Sequence, residues 1–318
     1  MLIRKLFFTI LTFIVLVILI LIIQPINTKN LISYPQPAAD YEQALHKLDD
    51  QLSKDLPRIR DICKTRLLTH GHKTEKVIVF FHGFTNCPEQ FHKLADYFYG
   101  QGSNVLIVRI PHHGDKNRMT DDLKSLTAEE LAQSSDVAVD IASGLGDKVI
   151  VAGSSAGGVM TAWIAQNRNV YKAVFISPNF GIDNLTFFAK PVTNLLNAPN
   201  FYIWWDPKLK ENVQGADYFY PRYSTRALGQ TLRLGFSVKT SAKQRKPQAN
   251  LITVITNEND TVVDNQLTKN IVASWIKHGS DVKTFEFTKD LKLNHDLIDP
   301  DNLEQVKVVY PILEKLIE

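Results

Sequence analysis

Five short apolar runs recur along the chain: Val77 to Phe81, Asn104 to Ile110, Lys148 to Ala152, Lys172 to Ile176 and Leu251 to Ile255. They are rich in β-branched residues and do not alternate with polar ones, so each predicts a strand buried on both faces of a parallel sheet. A further strand is expected at Val282 to Phe287. Helical patterns lie between the runs at about 89 to 100, 127 to 143 and 157 to 167, the second opened by a capping box, Thr127 with Glu130. Strands alternating with helices predict an α/β fold with a mostly parallel sheet flanked by helices. At 44% hydrophobic and 22% charged residues the chain has enough apolar material for such a core. Arg4 and Lys5 account for two of the +3 formal charges, and the remainder does not suggest a nucleic-acid footprint.

The rhythm breaks between Pro178 and Asn250, a stretch far longer than a normal crossover. It reads as an insertion, a cap at about 179–249. Phe187, Phe188, Phe201, Tyr202, Trp204, Trp205, Tyr218, Phe219, Tyr220 and Tyr223 give it the composition of an apolar pocket or of a small satellite core.

Gly153-Ser154-Ser155-Ala156-Gly157 directly follows one strand and directly precedes a helix. A nucleophile on a tight strand-to-helix turn needs glycines two positions to either side, because the backbones approach closely there. Ser155 is the candidate nucleophile, and Ser154 has no assigned role. The tetrahedral intermediate of acyl transfer needs two N–H donors. Ala156 offers one, and Phe84, in His82-Gly83-Phe84-Thr85 after the strand ending at Phe81, offers the other. His82 is read as a structural residue of that loop.

A base and an orienting acid should follow in the chain order serine, acid, histidine. After Ser155 only His278 and His295 remain. His278 closes a helical stretch, Asn265 to Lys277, whereas His295 sits in the loop Leu293-Asn294-His295-Asp296 beyond a strand. His295 is therefore the candidate base. For the acid, Asp260 lies on the loop that follows Leu251 to Ile255, Asp264 suits the N-cap of the helix from Asn265, and Glu258 is the alternative. His112 and His113 belong to a loop ahead of the nucleophile and are read as structural, with substrate contact as the alternative.

Cys63 and Cys87 lack the spacing of a zinc site. They are predicted to form a disulfide through a hairpin of Thr65 to Leu68 with Val77 to Phe81, the alternative being two reduced thiols. Near the N-terminus, Leu6 to Ile23 carries no charge and is long enough to cross a bilayer as a helix. Gln24-Pro25-Ile26-Asn27 lacks the small residues of a cleavage site, so residues 1–26 are expected to be an uncleaved anchor rather than a signal peptide. Arg4 and Lys5 place its start in the cytoplasm and the rest of the chain outside. Residues 27–64 read as a polar stalk and a leading helix from Tyr41 to about Leu56.

At His82 to Thr85, Arg109-Ile110-Pro111-His112-His113-Gly114, Gly153 to Gly157, Asp260 with Val263, and Asn294-His295-Asp296, the sequence resembles the α/β-hydrolase superfamily, in particular bacterial carboxylesterases and monoacylglycerol-lipase-like serine hydrolases. The resemblance covers about residues 65–318. It implies hydrolysis of apolar or lipid-like esters through an acyl-enzyme, a cap inserted after the sixth strand, and neither metal nor cofactor. Acyltransferases and thioesterases share the fold. A non-catalytic, membrane-tethered binding protein on the same scaffold is the rival from another class.

Overall fold

A computed structural model describes residues 2–53, 57–185, 189–196, 199–205 and 219–318. Phe187, Phe188 and Tyr218 lie outside the described residues. Seven strands form one sheet in the spatial order β1 (Arg66–Leu68), β3 (Asn104–Val108), β2 (Thr74–Phe81), β4 (Gly146–Ser154), β5 (Lys172–Ile176), β8 (Leu251–Asn257) and β9 (Val282–Phe287). All neighbours are parallel except β1 against β3.

Two apolar layers bury the sheet. Val77, Val79 and Phe81 of β2 point to one side, with helices α4 (Ala128–Leu145), α5 (Ala156–Asn167), α7 (Thr225–Ala242) and α8 (Asn265–Lys277). Ile78 and Phe80 point to the other, with α3 (His92–Gly100) and α9 (Leu303–Ile317). Both sets are needed, which is why these strands read as unbroken apolar runs. The capping box forms as expected: Glu130 N–H donates to Thr127 Oγ1, and Thr127 N–H donates to Glu130 Oε2 at 2.9 Å.

Two expectations about the sheet and its insertion need correction. Thr65 to Leu68 makes no hairpin with β2, because β2 already has a parallel partner on each side, β3 and β4; β1 instead closes the sheet edge against β3, with Arg66 opposite Ile107. The insertion follows the fifth strand rather than the sixth, since a single short strand precedes β2. Within it the described residues form α6 (Ala189–Leu196) and a two-stranded sheet of β6 (Tyr202–Trp204) and β7 (Arg222–Ser224), followed by α7.

Cys63 and Cys87 are bonded, with Cα atoms 5.1 Å apart. Cys63 ends a short 3-10 turn and Cys87 caps the start of another, Pro88–Phe91, and the buried pair packs with Ile59 and Phe219.

The N-terminal helix α1 (Leu2–Ile23) is apolar, and none of its described side chains is buried. The segment after it does not stand away from the domain. Leu31 is buried, and Trp163 Nε1–H donates to its carbonyl at 3.2 Å. Asp136 accepts from Ser33 Oγ–H and from Tyr34 N–H, and Asp140 from Gln36 N–H. Arg168 bridges both carboxylates from below, at 2.7 Å to Asp136 and 2.5 Å to Asp140. Residues 31–38 are thus strapped to α4 before helix α2 (Tyr41–Leu52) begins.

Candidate active site

β4 delivers Ser155 to the turn before α5 with φ 53° and ψ −110°, a strained conformation for a residue with a side chain. The tightness explains the glycines. A Cβ at Gly153 would lie 2.2 Å from the Gly157 carbonyl oxygen, and one at Gly157 would lie 2.0 Å from that of Phe81. The strain is held from two sides, by Ser155 N–H donating to the Ile176 carbonyl and by Asn179 N–H donating to the Ser155 carbonyl.

The structure brings Ser155, His295 and Asp260 together. Ser155 Oγ lies 3.0 Å from His295 Nε2, and His295 Nδ1 lies 2.7 Å from Asp260 Oδ2. Asp260 Oδ1 accepts from Val262 N–H and Val263 N–H, at 2.9 and 3.1 Å. Burial alone would raise the Asp260 carboxyl; the His295 hydrogen bond and charge, with the two amides, outweigh it and hold the group below the usual range. Asn257 fixes the spacing of the two loops by donating to the carbonyls of Leu293 and Asn294, each at 3.1 Å.

The competing residues are occupied elsewhere. Asp264 caps α8 by accepting from Leu267 N–H at 3.0 Å, and Glu258 accepts from Lys289 N–H at 2.8 Å. His278 closes α8, with Nε2 3.1 Å from the Lys243 carbonyl.

His82 staples the donor loop. Its Nδ1–H donates to the Gly83 carbonyl at 2.8 Å, and its Nε2 accepts from Ile110 N–H at 3.0 Å, so the ring serves as a neutral imidazole. Burial, reinforced by neighbouring His113, pushes its pKa well down. Burial also takes His113 down to about 4. An unfolded chain protonates such histidines near pH 6.5. The unfolded state therefore binds more protons below that pH, and stability is lost as pH falls. We expect the urea midpoint to drop between pH 6.5 and 4.5, with His113 contributing roughly 3 kcal/mol at the acid end. His113→Asn should flatten that slope, and an unchanged slope would refute the assignment.

Sequence reasoning missed how the donor loop is braced. Gln90 accepts from Gly83 N–H with Oε1 at 2.7 Å and donates through Nε2 to both oxygens of Asp296 at 2.8 Å. Asn86 adds a donor at 3.2 Å. The loop carrying Phe84 is thereby fastened to the residue after His295. Burial and the nearby Asp299 push the Asp296 carboxyl up, against the Gln90 amide. The dipeptide His295-Asp296 was the available signal, but nothing in sequence pointed from Asp296 to Gln90.

Above Ser155 lies a cavity of about 480 Å³ lined by Phe84, Ile182, Trp205, Phe219, Tyr223, Leu228 and Val262 among others. Trp205 packs edge to face on Phe219, 5.2 Å between centroids, and Phe219 in turn packs against the disulfide. Trp204 is not among the lining residues. Tyr220 N–H donates to the Thr85 carbonyl at 2.7 Å, tying the insertion to the donor loop.

A parallel sheet carrying a serine on a strained turn after a central strand, with acid and histidine on later loops, defines an α/β hydrolase. The chain belongs to the alpha/beta hydrolase family, whose model matches residues 78–285. It is similar to a structure reported with the metagenome-derived lipolytic enzymes LipS and LipT, at 19% identity and a TM-score of 0.57, over 81% of this chain and 99% of that one. Monoacylglycerol lipase of Paleococcus ferrophilus is similar at 17% identity and a TM-score of 0.57, over 80% and 97% of the two chains. A soluble variant of monoglyceride lipase from Saccharomyces cerevisiae gives 12% and 0.52, over 80% and 90%. No curated protein sequence matches the chain.

Proposed function

We propose that the protein is a serine carboxylester hydrolase, anchored to a membrane by α1, that acts on esters with apolar acyl groups. The observation that carries this reading is the hydrogen-bonded series Ser155–His295–Asp260 at the base of an apolar cavity. Ser155 Oγ attacks the ester carbonyl as His295 Nε2 takes its proton, and Asp260 orients the imidazole and stabilises its charged form. The N–H groups of Phe84 and Ala156 hold the oxyanion. Ala156 is the first residue of α5, so its N–H has no carbonyl of the helix to bond. His295 then returns the proton to the leaving alcohol, and a water activated by the same imidazole releases the acid.

The domain reading that goes with this is an anchor over 1–26, a segment and helix over 27–64 that packs against the hydrolase domain from Leu31 onward, and a hydrolase domain over 65–318 with its cap at about 179–249. The exposed apolar surface of α1 supports the anchor, with the N-terminus cytoplasmic and the catalytic domain on the other side. The names of the structural relatives agree with a lipid-like ester as substrate.

A fluorophosphonate probe tests the chemistry: stoichiometric labelling that maps to Ser155 is the expected result, and an unlabelled, folded chain would favour the binding-protein alternative. Within the cavity, Trp205→Ala should lower kcat/KM for long-chain nitrophenyl esters severalfold while leaving acetyl ester hydrolysis nearly unchanged, because the indole covers the acyl path and not the reacting atoms. Equal losses on both substrates would assign Trp205 a purely structural role.

A further inference from the structure

The end of α1 is seated on the cap. The last carbonyls of a helix have no partner within it, and at a bilayer surface they need donors. Here α6 supplies them: Asn194 Nδ2 donates to the carbonyls of Leu21 and Gln24, at 2.9 and 3.0 Å, and Lys190 Nζ to that of Ile23 at 3.3 Å. A helix leaving the membrane at Ile23 therefore places α6 at the depth of its exit.

The chain beyond it allows little freedom. Arg233 of α7 donates to the Asn27 carbonyl at 2.6 Å, and Leu31 is already buried in the domain. From Ile23 to Leu31 a fully extended chain spans at most about 28 Å. The face around α6 and α7 therefore lies close to the end of α1.

Large apolar side chains stand exposed on the cap and beside it. Leu195 on α6 is 56% exposed, Phe201 64% and Trp205 45%, with Ile203 and Val262 also exposed. Trp205 and Val262 are both exposed and line the cavity above Ser155, so apolar surface open to the outside reaches the cavity there. Arg226, whose N–H donates to Asn200 beside Phe201, adds a cation suited to lipid phosphates.

We propose that the cap face bearing Leu195, Phe201 and Ile203 rests on the lipid surface beside α1, so that the cavity opens onto the leaflet and takes acyl esters directly from it. The proposal rests on α1 spanning a membrane and on Ser155 acting as nucleophile.

The test uses the full chain in vesicles of phosphatidylcholine and phosphatidylglycerol. A fluorophore is placed on Leu195→Cys or, as control, on Val308→Cys of α9, which packs on the opposite face of the sheet. Lipids carrying nitroxides near the headgroup should quench the Leu195→Cys label severalfold more than the Val308→Cys label. Equal, weak quenching in chains that float with the vesicles overturns the orientation while leaving the anchor intact. A Leu195→Cys label shielded from water but not quenched by lipid means that protein covers the face, and also overturns it. Chains that fail to float remove the anchor reading and this proposal together.

A second measurement reads function. Leu195→Asp with Phe201→Asp should cut turnover of a vesicle-borne monoacylglycerol tenfold or more and leave hydrolysis of a soluble butyrate ester unchanged. Unchanged turnover of both substrates refutes delivery from the leaflet. Loss of both would report damage to the fold, and the quenching contrast then decides. Fluorophosphonate labelling of Ser155 in the same samples separates failure of the orientation from failure of the serine-hydrolase reading.

Discussion

Ser155→Ala is expected to lower kcat for ester hydrolysis by at least ~10⁴-fold and to abolish fluorophosphonate labelling. The substitution removes one oxygen. It leaves the Cβ, the backbone conformation and the bonds from Ser155 N–H to Ile176 and from Asn179 N–H to Ser155 in place, so thermal unfolding should stay close to that of the unaltered chain. Residual turnover would come from the donor pair and from substrate binding. Turnover retained at the original level would end the serine-hydrolase reading.

Asp260→Asn should cost about 10³- to 10⁴-fold in kcat with a modest effect on folding. Asparagine keeps an oxygen to accept from Val262 and Val263 N–H, so the loop holds its shape, but it presents an amide to His295 Nδ1 where a carboxylate had been. The imidazole then loses the partner that fixes its tautomer and stabilises its charged form. Asp264→Asn is the contrast. Asparagine caps helices nearly as well as aspartate, so the cost is at most about 1 kcal/mol of stability, with turnover near its original value. If Asp264→Asn proved the more damaging to kcat, Asp260 would not be the acid.

The two predictions differ in how they could be read from sequence. Ser155 was legible because its geometry demands glycine at 153 and 157, and those residues announce the turn by themselves. Asp260 had to be chosen among three carboxylates within one loop, and the choice rested on Asp264 being better explained as a cap. The strands were legible because a sheet covered on both faces needs continuous apolar runs, and Lys172–Ile176 and Val282–Phe287 keep their expected limits. The partner of Arg66–Leu68 was not, since strand neighbours depend on which sheet edge is free, and that follows only from the pairing of every other strand. The same holds for the Gln90–Asp296 brace, whose members stand 206 residues apart in sequence. Ser33, Tyr34 and Gln36 looked like a solvated stalk for a related reason: their partners, Asp136 and Asp140, one turn apart on α4, give no sign in the sequence that they face another segment.

The strap bears on where the chain can be shortened. Cutting at residue 40, where α2 begins, would remove Ser33, Tyr34 and Gln36 and leave Asp136 and Asp140 with Arg168 alone, two buried negative charges against one positive. It would also strip the carbonyl partner from Trp163 inside the apolar layer. A form of this protein shortened to remove α1 should therefore begin between Asn27 and Asn30, so that everything from Leu31 onward stays with the folded domain.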